Sequence, residues 1–187
     1  MNSAPSAQAK FDLSVYEQIS TSDCFVCRIV AGHPLTPGVE VLYEDSDTIA
    51  FLNQFPTQYG YTLVCPRRHV ERFEADLSAD EWTTLQAVVQ KVARAVSQVT
   101  QPIRMYTASW GSPERNSHVH IHLCPCPAGT PIEKQQLVAM DMPDGKYLHL
   151  DQQQAKQLAE DIKAALIGYA RGTPVGPRPR DSRSPEG

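Results

Sequence analysis

The stretch Ser117-His118-Val119-His120-Ile121-His122-Leu123-Cys124-Pro125 gathers three of the chain's six histidines into five residues. They alternate with Val119 and Ile121, and a period of two marks a β-strand. His118, His120 and His122 therefore share one face, while Val119, Ile121 and Leu123 share the other. A strand advances about 3.3 Å per residue, so His118 and His122 stand roughly 13 Å apart. Imidazole nitrogens bind zinc at about 2.0–2.1 Å, so both ends of the triplet cannot easily hold one ion. The spacing points to divided labour, with one end available to a metal and the rest to a substrate. Three histidines on one face separate this stretch from an ordinary buried strand.

The flanks fit the same picture. Ile103 to Trp110 reads as a preceding strand, joined to the histidine strand by a short polar loop of Gly, Ser, Pro, Glu, Arg and Asn. A loop at the mouth of a strand is well placed to meet a ligand. Upstream, Ser78 and Glu81 form a capping-box pattern ahead of Trp82, Leu85, Val88, Val89, Val92, Ala93, Val96 and Val99. That spacing predicts a helix of about five turns with one face buried on a sheet. Downstream, 126–131 is irregular, and Cys124 and Cys126 read as packing residues. Asp151 and Gln154 then cap a last helix whose stripe is Ala155, Leu158, Ala159, Ile162, Ala165, Leu166 and Tyr169.

Further out, Val39 to Glu44 and Thr48 to Leu52 alternate around an Asp45-Ser46-Asp47 turn and predict a hairpin. Tyr61 to Cys65 is a third strand, stopped by Pro66, and Arg67 and Arg68 read as a solvated loop. Cys24-Phe25-Val26-Cys27 is a C-x-x-C, compatible with a redox pair or with half a zinc site completed by His69 and His118. Residues 1–12 read as a disordered lead-in, although Phe11, Leu13, Val15 and Tyr16 could dock on the domain. The Gly-, Pro-, Arg- and Ser-rich segment 171–187 has almost nothing to bury and reads as a disordered tail. Residues 13–170 are left as one α+β domain: a mainly antiparallel sheet of about five strands, a long helix on one face and a C-terminal helix.

Composition excludes several classes. At 187 residues, 41% hydrophobic and 20% charged, the chain has the make-up of a soluble globular domain. A formal charge of −4 gives no general attraction to nucleic acid, and none is expected as a partner. There is no apolar run long enough to span a membrane, and the polar N-terminus does not resemble a secretory signal. Five cysteines with no sign of export suggest thiols or metal ligands in a reducing, cytoplasmic setting.

Taken together, these motifs resemble one family. His118-Val119-His120-Ile121-His122-Leu123-Cys124 matches the His-φ-His-φ-His-φ-φ motif of the histidine triad (HIT) family of nucleotide hydrolases and transferases. The segment from Cys24 to Gly32 looks like the zinc-binding start of many members. Leu63-Val64-Cys65-Pro66-Arg67-Arg68-His69-Val70-Glu71-Arg72-Phe73 is similar to the fragile histidine triad, or dinucleoside polyphosphate hydrolase, branch. The resemblance implies a HIT-like fold and a structural zinc on Cys24, Cys27, His69 and His118. It also implies His120 as nucleophile on the α-phosphate, through a nucleotidyl-histidine, and His122 as a hydrogen-bonding partner of the phosphate oxygens. Asn53 falls where the family binds the ribose hydroxyls, although an Asn is equally at home beginning a turn. The loop at 111–117 lacks the Gly-Gln-Ser or Gly-Gln-Thr common in the family, which leaves Arg115, Asn116 and Ser117 as substitutes for its substrate contacts. Pro125-Cys126 stands where many hydrolases have Pro-Arg. A homodimer joined through sheet and helix is also implied.

The chemistry of a triad agrees. Nucleotidyl transfer needs a nucleophile that is neutral near pH 7, and imidazole, with an ordinary pKa of about 6.5, supplies one. The reading is therefore a hydrolase releasing a nucleoside monophosphate from a dinucleoside polyphosphate or a nucleoside phosphoramidate. A nucleotidylyltransferase or phosphorylase passing the nucleotide to another acceptor is the alternative. His120 argues against a merely nucleotide-binding protein, and the Cys24/Cys27 pair argues against a catalytic metal on His118 and His120.

Overall fold

The computed structural model describes residues 7–10, 12, 14, 17, 23–33, 38–111, 113, 116–140 and 145–170, residues 169 and 170 by backbone alone. In chain order the elements are β1 (Gln8–Lys10), α1 (Phe25–Val30), β2 (Val41–Glu44), β3 (Thr48–Leu52) and β4 (Thr62–Pro66). Then come α2 (Phe73–Asp76), α3 (Ala79–Thr100), β5 (Arg104–Ser109), β6 (Ile121–Cys126), a 3₁₀ turn at Gln135–Leu137, β7 (Lys146–Leu148) and α4 (Gln152–Ala170). Strands β2 to β6 form one antiparallel sheet in the order β2-β3-β4-β6-β5. The expected five-stranded α+β architecture is present.

Period-two alternation sorts the sheet into two faces. Ala50, Leu52, Val64, Ile121 and Leu123 point to one side, where α3 contributes Leu85, Val88, Val89, Val92 and Val96, and α4 contributes Leu158 and Ile162. Ile49, Phe51, Leu63, Cys65, Cys124 and Cys126 face the other side and pack with Val26 and Ile29 of α1 and with Val138. Cys124 and Cys126 are thus core residues, as expected. Leu123 has no exposed surface, and truncating such a leucine to alanine typically costs about 2–5 kcal/mol.

Local signals set the helix ends. The Ser78 hydroxyl accepts from the Glu81 N–H, and the Glu81 carboxylate accepts from the Ser78 N–H, completing the box before α3. Asp151 and Gln154 exchange the same pair of bonds before α4. At 22 residues, α3 makes about six turns, one more than the stripe predicts. Gly60, at φ +82°, seats the turn before β4 against the end of α3. A Cβ there would lie 2.6 Å from Cγ2 of Thr100, so only glycine fits. Arg67 and Arg68 pair with Glu44 and Glu81 at the surface, in keeping with a solvated loop.

The histidine strand departs from expectation at both ends. It begins at Ile121, not Ser117, and continues through Cys126. Residues 117–120 leave the ladder because they bond elsewhere: the Val119 N–H donates to the Val70 carbonyl at 2.6 Å. The lead-in expected over 1–12 is corrected at Gln8–Lys10, which form a strand. Gln8, Ala9 and Lys10 pair antiparallel with Leu148, Tyr147 and Lys146. The Leu148 N–H reaches on to the Pro56 carbonyl at 2.8 Å, so this small ribbon is tied to the β3–β4 loop. Phe11, Leu13, Val15, Tyr16 and the tail 171–187 lie outside the described residues. No helix among the described residues is long and apolar enough to cross a membrane.

Candidate active site and metal centre

Four side chains from three parts of the chain meet at the outer end of β4. Cys24 lies just before α1 and Cys27 lies within it; His69 follows β4, and His118 precedes β6. Their ligand atoms all lie within 4.8 Å of one another. Cys24 Sγ is 3.2 Å from His118 Nδ1, and Cys27 Sγ is 3.4 Å from His69 Nδ1 and 3.7 Å from His118 Nδ1. A tetrahedron with zinc bond lengths has S···N edges of about 3.6 Å. The donor set therefore fits a closed Cys₂His₂ zinc site.

The outer contacts point the same way. Both histidines turn Nδ1 toward the sulfurs and use Nε2 to bond outward. His118 Nε2 lies 2.8 Å from the Pro66 carbonyl, and His69 Nε2 lies 3.2 Å from a Glu71 carboxylate oxygen. Such partners fix the tautomer that leaves Nδ1 free for a metal. The Cys27 N–H donates to Cys24 Sγ at 3.4 Å. Burial, aided by the neighbouring Cys24, pushes the Cys27 thiol up to about 11. A divalent cation is what would hold this pair as thiolates at neutral pH.

His120 and His122 lie further along the same face, their ring centroids 4.8 Å apart. His120 is 6% exposed, and its Nδ1 lies 2.6 Å from the His118 carbonyl oxygen. A carbonyl only accepts, so Nδ1 carries the proton and Nε2 keeps a free lone pair. The ring of Phe25 packs edge-on against it, 5.7 Å between centroids. Burial lowers the affinity of His120 for a second proton. His122 falls further, to about 3, through burial first and its neighbour His120 second. Both rings are neutral at physiological pH. His122 Nδ1 meets the Tyr61 hydroxyl at 2.8 Å, while its Nε2 is buried with no partner among the described residues.

The other expected ligand contacts are placed unequally. Asn53 closes β3, and its side-chain oxygen accepts from the Phe55 N–H at 3.0 Å, which makes it a turn former in this structure. The Ser117 hydroxyl donates to Glu71 at 2.9 Å, on the metal side of the strand. Asn116 adopts φ +54° beside Gly111. A Cβ on Gly111 would lie 2.7 Å from the Asn116 carbonyl oxygen and 3.5 Å from the His120 ring, so glycine permits this close approach of Asn116 beside His120. Arg115 lies outside the described residues. Sequence reasoning missed Glu71, although it stands two residues after a candidate ligand. It also missed Tyr61 as a site residue, although it precedes Leu63 and Cys65 at period two on the histidine face.

With this geometry in view, comparison with known proteins is informative. A family model for the HIT domain matches residues 38–127. Protein hit of Bacillus subtilis is 31% identical over 109 residues, covering 55% of this chain and 70% of that protein. The adenosine 5'-monophosphoramidase hnt1 of Schizosaccharomyces pombe is 30% identical, covering 56% and 74%. The bifunctional bis(5'-adenosyl)-triphosphatase/adenylylsulfatase FHIT of Arabidopsis thaliana is 36% identical, covering 48% and 51%. Among solved structures, a hypothetical histidine triad nucleotide-binding protein from Sulfolobus tokodaii superposes with a TM-score of 0.64 at 20% identity, covering 79% of this chain and 95% of that one. A zinc-bound histidine triad family protein from Mycobacterium smegmatis gives 0.63 at 22% identity, covering 81% and 98%. At these identities the two structures establish the shared fold.

Proposed function

The chain belongs to the HIT family, and on that footing we propose that it is a nucleotide hydrolase. Its substrate would be a dinucleoside polyphosphate or a nucleoside phosphoramidate, cut at the α-phosphate to release a nucleoside monophosphate. The observation that carries this reading is the bond from His120 Nδ1 to the His118 carbonyl, which leaves Nε2 as a bare lone pair. Two relatives named for hydrolysis of such compounds, hnt1 and FHIT, support the substrate class.

In this mechanism His120 Nε2 attacks the α-phosphorus, and the bond from phosphorus to the leaving oxygen or nitrogen breaks with its electron pair. The ring gains positive character as the new P–N bond forms, and Nδ1–H stays on the His118 carbonyl, which meets that charge. Water then attacks phosphorus, and its proton passes through solvent to balance the one taken up by the leaving group. The P–N bond breaks with its electron pair returning to Nε2, and His120 returns to its neutral form. His122 serves the phosphate oxygens through its unpaired Nε2. Asn116 and Arg115 are proposed to contact the substrate, as is Ser117, whose hydroxyl would first leave Glu71. Asn53 would have to exchange its turn bond for the ribose hydroxyls. Cys24, Cys27, His69 and His118 would hold zinc, which supplies cross-linking when bound. It would lie outside the reacting atoms, with all four positions filled by protein. The working form is proposed to be a cytoplasmic homodimer.

Rapid quench with substrate radiolabelled on the α-phosphate tests the reading. Label should appear on the protein, acid-labile and alkali-stable, and should vanish in His120→Ala. Turnover of a substrate panel with no protein-bound label at any time would overturn the covalent route.

A further inference from the structure

One polar group at the centre of this site has no role in the mechanism so far: the hydroxyl of Tyr61. We propose that Tyr61 is a positioning residue that locks His122 in the tautomer with its proton on Nε2, opposite to that of His120. The ligand this prepares for, a phosphoryl oxygen, rests on the function proposed above; the tautomer itself rests on geometry alone.

Only two arrangements of the pair are available to a neutral ring. In the first, the Tyr61 hydroxyl donates to His122 Nδ1 across 2.8 Å, and the ring proton sits on Nε2. In the second, Nδ1–H donates to the phenol oxygen, and the phenol must donate elsewhere. The only other acceptor for it among the described residues is the Ala139 carbonyl at 3.5 Å, at the outer limit of a hydrogen bond. The first arrangement uses one short bond, whereas the second relies on a stretched one.

Tyr61 is well suited to impose this choice. It is 3% exposed, its N–H donates to the Gln58 carbonyl, and its own carbonyl accepts from the Asn53 N–H. Burial raises its hydroxyl well above the ordinary phenol range, so it remains a donor. The result is a matched pair of rings 4.8 Å apart. His120 presents a lone pair from Nε2, and His122 presents an N–H from Nε2. That N–H is buried with no acceptor among the described residues, and an anionic oxygen is the group it lacks.

Imidazole ¹⁵N–¹H spectra of the metal-loaded protein at neutral pH decide the tautomers, with signals assigned by their loss in His120→Asn and His122→Asn. His122 should show a protonated Nε2 and an acceptor Nδ1, and His120 the reverse. A proton on His122 Nδ1, or the same pattern in both rings, overturns the proposal without any assay of turnover. Tyr61→Phe should keep its metal and its melting transition, show His122 as a tautomer mixture, and lose about tenfold in kcat with KM changed less than twofold. An unaltered His122 spectrum in that variant would equally overturn it. If no nucleotide is turned over by the wild type, the function proposed above fails, while the spectrum still decides the tautomer.

Discussion

The two ends of the histidine face differ in what their donors find. At the metal end every ligand nitrogen has a partner: Nδ1 of His118 and His69 meets sulfur, and Nε2 meets Pro66 or Glu71. At the other end, each of His120 and His122 has one nitrogen fixed and one left open. The difference teaches how one strand serves two purposes. A side chain whose bonds are all made within the protein and its metal contributes stability. A side chain held on one side and left open on the other is positioned to act on something that arrives.

His120→Ala should break the comparison at its open end and carry the largest effect. Turnover should fall by about 10³-fold or more, while binding of a nucleoside monophosphate and the metal content survive. Loss of metal or of the melting transition in this variant would instead make His120 a structural residue. Cys24→Ser should do the reverse. It should release the metal and lower the melting temperature by about 10 °C or more, read by elemental analysis and calorimetry. Wild-type stability in a metal-free variant would remove the structural role from that end.

His122→Ala comes next, with a loss of about 10²-fold in kcat, since it deletes one donor to the phosphate and leaves the nucleophile. A loss as large as that of His120→Ala would merge the two roles. Glu71→Gln tests the outer layer of the metal end. The carboxylate that orients His69 is gone, and metal affinity measured by chelator competition should drop about 10- to 100-fold with kcat preserved at saturating metal. The smallest effect is expected from Asn53→Ala. Calorimetry should show nucleoside monophosphate binding about fivefold weaker, with fold and metal content intact. Unchanged affinity would leave Asn53 with the turn bond to Phe55 as its only role.

Much of this was legible in the sequence because it depends on local rules. The stripe behind Ser78 and Glu81 becomes α3, and the alternation of Val119, Ile121 and Leu123 with three histidines gives the two faces of the sheet. The remainder depends on contacts distant in sequence. Gln8–Lys10 are too short and polar to announce a strand and are ordered by their partner Lys146–Leu148. Residues 117–120 carry the right pattern, yet leave the ladder because Val70 and Pro66 offer other partners. Glu71 takes part of its meaning from Ser117, 46 residues on, and Tyr61 takes its meaning from His122, 61 residues on. No spacing rule reports such a pairing.

Cys24 and His118 are 94 residues apart in the chain, and this separation bears on the order of assembly. Closing so long a loop is entropically unfavourable before the intervening sheet exists, so the four donors should converge only after β4 and β6 have paired. Contacts made that late would be absent from the rate-limiting barrier. A metal bound there should therefore leave the refolding rate nearly untouched and act by slowing escape from the native state. Its contribution would be to the lifetime of the folded chain.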